Sequence, residues 1–128
     1  MSSSSSSAVL IVDDVEDCIA TLDISLQNLP GVVIRPAASA EEAMAILERE
    51  RISAVITDLQ LPAINGLELI SWIRKQAKFN ALPIVALSAA ADPALPRAAL
   101  ERGANAFFPK PFSPGAVRKK LEEMIYAR

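Results

Sequence analysis

The sequence predicts an α/β protein built on a mostly parallel sheet of five strands that alternate with five helices. Five short apolar runs are continuous rather than alternating, which is typical of strands buried on both faces. The stretches between them place apolar residues three or four positions apart, as amphipathic helices do. At 128 residues, 52% of them apolar, the chain has the size of one domain. A chain of this size can bury about two-thirds of its unfolded surface.

The predicted strands are the apolar runs themselves, residues 8–12, 32–34, 54–56, 84–87 and 106–108. Polar side chains stand where three of them end. Asp13 and Asp14 follow the first run, Asp58 follows the third, and Ser88 follows the fourth. Ligands of open parallel sheets bind beyond the carboxyl ends of the strands. We therefore expect the functional site at these residues.

Apolar stripes predict the helices. The stripe residues are Val15, Cys18, Ile19, Leu22, Leu26 and Leu29 in the first helix, Ala40, Ala43, Met44 and Leu47 in the second, Leu67, Ile70 and Ile73 in the third, and Val117, Leu121, Met124 and Ile125 in the last. Pro30 and Gly31 predict the end of the first helix. Ser39 is a candidate N-cap of the second, with Glu42 three residues on. The fourth helix follows Pro93 and Pro96, so we expect it to begin late or to be short.

Composition excludes several classes of protein. Without histidine there is no Ser-His or Cys-His nucleophile pair and no histidine-bearing zinc site. One cysteine cannot form an internal disulfide, and its use points to a reducing, cytoplasmic compartment. No apolar run approaches the roughly 18 residues of a membrane span. A net charge of −2 offers no basic face to nucleic acid. We therefore expect neither direct nucleic-acid nor membrane contacts.

The two ends of the chain differ in composition. Residues 1–7 are a methionine and six serines, which lack the apolar surface that would offset the entropy of ordering them. We predict that residues 1–7 are a disordered tail and that residues 8–128 form the domain.

Carboxylates dominate the predicted site. A dinucleotide or P-loop fold would place a glycine-rich phosphate turn where Asp13 and Asp14 stand, and acidic residues repel phosphate there. If the first and third strands are neighbours, Asp58 faces that pair, and three close carboxylates require a counter-charge. Mg²⁺ meets the requirement with carboxylates, waters and a phosphate oxygen. Together with Ser88 and Lys110, such a site could hold a phosphoryl group transferred onto Asp58.

These residues lie in segments that resemble the receiver domain of two-component response regulators. The segments are residues 10–14, 56–62, 65–66, 86–89 and 103–112. The resemblance extends from residue 8 to the C-terminus and implies a flavodoxin-like, doubly wound sheet of order 2-1-3-4-5 with five helices. Phe107 departs from the tyrosine that is more usual in the family. Ser88 stands where threonine is commoner.

The resemblance implies which residues accept the phosphoryl group and hold the metal. Asp58 is the expected phosphoacceptor. Asp13 and Asp14 are the expected Mg²⁺ ligands, joined by an oxygen of Asp58 and the backbone carbonyl of Gln60. The bond before Pro111 is commonly cis in this family.

The resemblance also implies a switch and its partners. Ser88 and Lys110 would be drawn onto the phosphoryl group, and Phe107 would follow Ser88. The surface of the fourth helix, fifth strand and fifth helix would then change its preference for a downstream protein partner, and a phosphorylation-dependent dimer stays open. The donor would be a histidine kinase or a histidine phosphotransfer protein. Because this chain has no histidine, the donor must be another protein or domain.

Two other functions stay open on the residues. The first is a constitutive protein-binding module that keeps the fold without phosphorylation, although such relatives usually lose an acidic residue or the lysine. The second is a Mg²⁺-dependent phosphohydrolase, a class that wants an aspartate two residues after its nucleophile, where this chain has Gln60. We expect a protein that promotes its own phosphorylation and dephosphorylation and is not a turnover enzyme.

Overall fold

The predicted strands form one parallel sheet with the order β2-β1-β3-β4-β5, which confirms the expected doubly wound topology. The computed structural model describes residues 7–126. Its elements in chain order are β1 (Ser7–Val12), α1 (Glu16–Leu26), β2 (Val32–Ala37), α2 (Ala40–Arg49), β3 (Ala54–Asp58), α3 (Gly66–Arg74), a 3-10 turn (Ala77–Phe79), β4 (Ile84–Ser88), α4 (Leu95–Arg102), β5 (Ala106–Pro109) and α5 (Pro114–Tyr126).

The helices cover both faces of the sheet and bury two apolar layers. One layer joins α1 and α5 to alternate strand residues such as Ile56 and Leu87. The other joins α2, α3 and α4 to the opposite strand residues, among them Leu10 and Ala86. β3 and β4 are buried along their whole length. This two-sided burial explains why their sequences are continuously apolar.

The first helix is shorter than its apolar stripe predicted. Val15 is extended, with φ −103° and ψ 111°, and 49% of its surface is exposed, so it lies outside the buried stripe. The helix ends at Leu26, four residues before Pro30. Tight turns follow, in which the N–H of Leu29 donates to the carbonyl of Leu26 at 3.0 Å. Leu29 is therefore buried by a turn and not by a helix.

The N-termini of three helices are set by their local sequence. The Ser39 side chain accepts a hydrogen bond from the N–H of Glu42 at 3.1 Å, as predicted. The carboxylate of Glu42 accepts instead from the N–H of Ala38, one residue before the cap. At α3, Asn65 and Glu68 form a capping box that the sequence analysis did not identify. Helix α4 has eight residues and carries its proline in the first turn, so the expected short helix is confirmed.

The amino-terminal boundary lies one residue earlier than predicted. Ser7 belongs to β1, and its N–H donates to the carbonyl of Gly31 at 2.7 Å. The remainder of the predicted disordered tail, residues 1–6, lies outside the described residues. Across residues 7–126, every helix is too short or too polar to cross a bilayer.

Candidate functional site

The sheet brings together the side chains that stand at the strand ends. β1 and β3 are neighbours, with Val12 paired to Thr57, so the residues that follow, Asp13 and Asp58, lie side by side. Side chains alternate between the faces of a strand. Asp13 and Asp58 therefore continue the face that packs against α1 and α5, and both are almost fully buried. The prediction that these carboxylates meet across the sheet is confirmed.

Gly66 allows the chain to pass close behind Asp58. An added Cβ at Gly66 would fall against the carbonyl oxygen of Asp58 and 2.7 Å from the Cα of Leu59. The turn that leads there contains Ala63 with φ 63°, a left-handed conformation that is uncommon for alanine. The N–H of Gly66 donates to the carbonyl of Leu59 at 3.0 Å. This turn therefore presses the start of α3 against the end of β3 and holds Asp58 in place.

Lys110 connects the two buried carboxylates. Its ammonium group donates to Asp13 Oδ2 at 2.8 Å and to Asp58 Oδ2 at 2.9 Å. The exposed fraction of the side chain is 16% for Lys110, none for Asp13 and 6% for Asp58. The backbone beside Lys110 is also fixed, because its N–H donates to the carbonyl of Ser88 at 2.8 Å. The bond from Lys110 to Pro111 is cis. One lysine from the fifth strand end therefore bridges carboxylates from the first and third and offsets one of their two negative charges.

Burial and charge shift the pKa values at this site in two ways. Burial raises the pKa of Asp58, and this effect outweighs the lowering by the Gln60 N–H and by Lys110. Burial by itself lowers the pKa of Lys110, but its hydrogen bonds to Asp13 and Asp58 and their negative charges raise the pKa well above its ordinary value. The lysine is therefore a permanent cation at neutral pH.

The carboxylates form a donor set that fits a hard divalent cation. One oxygen from each of Asp13, Asp14 and Asp58 lies within 4.8 Å of the other two. Asp14 is exposed whereas its two neighbours are buried, so the cluster opens to water on one side. Mg²⁺ is usually bound by one or two carboxylates together with several waters and a phosphate oxygen, and this cluster can supply those carboxylates. The predicted fourth ligand, the carbonyl of Gln60, stays a prediction, although the N–H of Gln60 donates to Asp58 Oδ1 at 3.0 Å.

Ser88 and Phe107 lie on the opposite face of the sheet from the carboxylates. In β4, Ser88 shares the face of Ala86, which packs under α4. Phe107 pairs with Ala86 across the sheet and is half-buried against the same layer. The predicted hydroxyl and the predicted aromatic switch therefore share one layer. Lys110 and Asp58 occupy the other face.

The side chain of Gln60 also belongs to the site, through a contact with Ser88 that the sequence did not predict. Its amide oxygen accepts a hydrogen bond from Ser88 Oγ at 2.7 Å and a longer one from the N–H of Ala89 at 3.3 Å. From the sequence, only the backbone carbonyl of Gln60 was expected to be a ligand. An amide side chain at a strand end that neighbours a serine was the available signal, but its direction depends on the turn after β3.

Comparisons with a family model, with protein sequences and with solved structures all match the same family. Residues 9–122 match the family model described as the response regulator receiver domain. A chemotaxis protein CheY homolog from Campylobacter jejuni is 30% identical over 118 residues, which cover 91% of this chain and 91% of the relative. The crystal structure of a Chloroflexus aurantiacus protein assigned as a response regulator has a TM-score of 0.88 and 33% identity, and the match covers 96% of this chain and 99% of that one. The chemotaxis response regulator CheY4 of Vibrio cholerae has a TM-score of 0.83 and 28% identity, with 93% and 98% of the two chains covered. The chain therefore belongs to the response regulator receiver domain family.

Proposed function

We propose that this domain accepts a phosphoryl group on Asp58 from a phosphohistidine of a histidine kinase or a histidine phosphotransfer protein. The observation that carries the proposal is the buried arrangement of Asp58 beside Asp13, with Lys110 bridging both and Asp14 within 4.8 Å. A buried carboxylate at the carboxyl end of a central strand stands where open α/β sheets bind ligands.

The reaction is a transfer between two nucleophiles. A carboxylate oxygen of Asp58 attacks phosphorus, the P–N bond to the donor imidazole breaks, and the electron pair of that bond stays on the imidazole nitrogen. Lys110 supplies a fixed positive charge beside the phosphoryl oxygens, and the Gln60 N–H holds the other Asp58 oxygen in place. The raised pKa of Lys110 keeps that charge present throughout the transfer.

Asp13, Asp14 and Asp58, with the carbonyl of Gln60, are the residues that would hold Mg²⁺. When bound, the ion neutralises charge on the phosphoryl oxygens. The exposed Asp14 offers its carboxylate on the open side of the cluster.

Phosphorylation would then act as a switch. The added group carries a charge of about −1.5 to −2 at neutral pH. We expect that charge to draw Ser88 and Lys110 toward it, and Phe107 to follow Ser88 because both side chains lie in the layer beneath α4. The surface formed by α4, β5 and α5 would change accordingly and bind a downstream protein partner.

The experiment is phosphorylation with acetyl phosphate and Mg²⁺, followed by the intact mass. We expect one added phosphoryl group on the wild-type chain and none on Asp58→Asn. The matched control is Asp17→Asn, which changes an exposed aspartate of α1 and should be modified like the wild type. A folded wild-type protein that gains no mass would contradict the proposal and favour a constitutive binding module. Sustained release of phosphate without an adduct would favour a hydrolase.

A further inference from the structure

The Ser88 hydroxyl is engaged by Gln60. Ser88 Oγ donates to Gln60 Oε1 at 2.7 Å and accepts from the N–H of Ala90 at 3.1 Å. A serine hydroxyl has one proton to donate. While that proton is held by Gln60, Ser88 has none to give to a phosphoryl oxygen on Asp58.

Gln60 is well placed to maintain this hydrogen bond to Ser88. Its backbone N–H donates to Asp58 Oδ1, and its side-chain oxygen accepts from Ser88, so one residue links the end of β3 to the end of β4. Ser88 is only 1% exposed, whereas Gln60 is an exposed residue, so water is limited on the hydroxyl side of this hydrogen bond. A hydrogen bond that is partly shielded from water is stronger than one in bulk water.

We propose that the Gln60 side chain is a positioning residue that retains the Ser88 hydroxyl in the unphosphorylated domain and thereby opposes the switch. The inference rests on the proposed function, because retention matters only if Ser88 turns toward a phosphoryl group on Asp58. The switched state must break the Ser88–Gln60 hydrogen bond before it can form the new one. Any ligand that favours the switched state therefore binds more weakly by the contribution of that bond.

The test measures the affinity for beryllium fluoride, a phosphoryl mimic, in the presence of Mg²⁺ by calorimetry. Gln60→Met keeps the length of the side chain and removes its acceptor. We expect Gln60→Met to bind the mimic about 2- to 12-fold more tightly, the range that one neutral hydrogen bond contributes. In a Ser88→Ala background the same substitution should give no gain, because no hydroxyl remains to be retained. The N–H resonance of Ala89, which also donates to Gln60 Oε1, should shift in Gln60→Met before any mimic is added.

Gln27→Met is the matched control, since Gln27 is exposed and its side-chain amide donates to Asp23 of the adjacent helix α1. It should bind the mimic like the wild type. Equal or weaker binding by Gln60→Met overturns the proposal, as does a gain that persists in the Ser88→Ala background.

Failure of the proposed function has its own signature. If neither the wild type nor Gln27→Met binds the mimic, both the proposed function and this inference are overturned. A urea-unfolding cycle of Gln60→Met and Ser88→Ala without the mimic tests the contact alone. If the two substitutions change the free energy of unfolding additively, the Ser88–Gln60 hydrogen bond does not contribute to stability and the proposal is overturned, independently of the binding result.

Discussion

Replacing Lys110 with methionine should destabilise the domain in the absence of Mg²⁺. The substitution keeps the packing of the side chain but leaves the carboxylates of Asp13 and Asp58 without their bridging cation. Removing one partner of a buried ion pair costs about 3–5 kcal/mol. Lys110 keeps some contact with water, and Asp58 has a pKa already raised by burial and can take up a proton. We therefore expect the free energy of unfolding to fall by about 2–4 kcal/mol.

Mg²⁺ should restore part of this loss. If Mg²⁺ binds at Asp13, Asp14 and Asp58 as proposed, it would share two of these carboxylates with Lys110 in the wild type and would be their remaining counter-charge in Lys110→Met. A ligand that binds only the folded state stabilises it in proportion to the logarithm of its concentration over Kd. Tenfold tighter binding of Mg²⁺ by the variant would add about 1.4 kcal/mol. We expect Mg²⁺ to raise the unfolding free energy of Lys110→Met by about 1–2 kcal/mol more than it raises that of the wild type.

Urea unfolding in EDTA and in excess MgCl₂ measures both quantities, with the fluorescence of Trp72 as the probe. Lys119→Met is the matched control, because Lys119 is an exposed lysine of α5. Its substitution should change neither the free energy of unfolding in EDTA nor the stabilisation by Mg²⁺ appreciably. If Lys110→Met unfolds like the wild type in EDTA, Lys110 does not stabilise the buried carboxylates. If Mg²⁺ stabilises both proteins equally, the ion and Lys110 do not act on the same carboxylates.

Two further substitutions test the scaffold around the site by urea unfolding. Gly66→Ala should destabilise the fold by about 2 kcal/mol or more, because its Cβ would meet the backbone of β3. Gly115→Ala, where an added Cβ finds only ordinary contacts, should be tolerated, and equal losses at the two glycines would contradict the close approach. Arg74→Met should cost about 2–4 kcal/mol, because its guanidinium donates to carbonyls of the 3-10 turn and the α4–β5 loop at 2.8 and 3.0 Å. Arg97→Met, at an exposed position of α4, should lower the free energy of unfolding far less. Similar losses of stability at the two arginines would contradict a stabilising role for the two hydrogen bonds of Arg74.

The sheet was predictable because burial on both faces demands a continuous apolar run. Residues 54–56 and 84–87 can only be covered by helices on either side, and the structure buries all of them. The short α4 was predictable for a local reason, since a proline fits the first turn of a helix and nowhere further in.

The end of α1 was not predictable in the same way. Leu29 continues the helical stripe in sequence, yet its burial comes from a turn after Leu26. An apolar stripe in the sequence indicates which side chains are buried, but it does not specify the backbone conformation that buries them. Val15 shows the converse, because it fits the periodicity but lies exposed before the first turn.

The sequence already shows which chemical groups are available: carboxylates, one lysine and a hydroxyl at strand ends, with no histidine among them. It also determined the fold class, because the apolar runs admit little else. The tertiary structure alone decided which of these groups touch. Lys110 reaches Asp13 across 97 positions of sequence, and Gln60 turns its side chain toward Ser88 across 28. Such contacts depend on strand order and on turn geometry, and neither is encoded in the local periodicity of the chain.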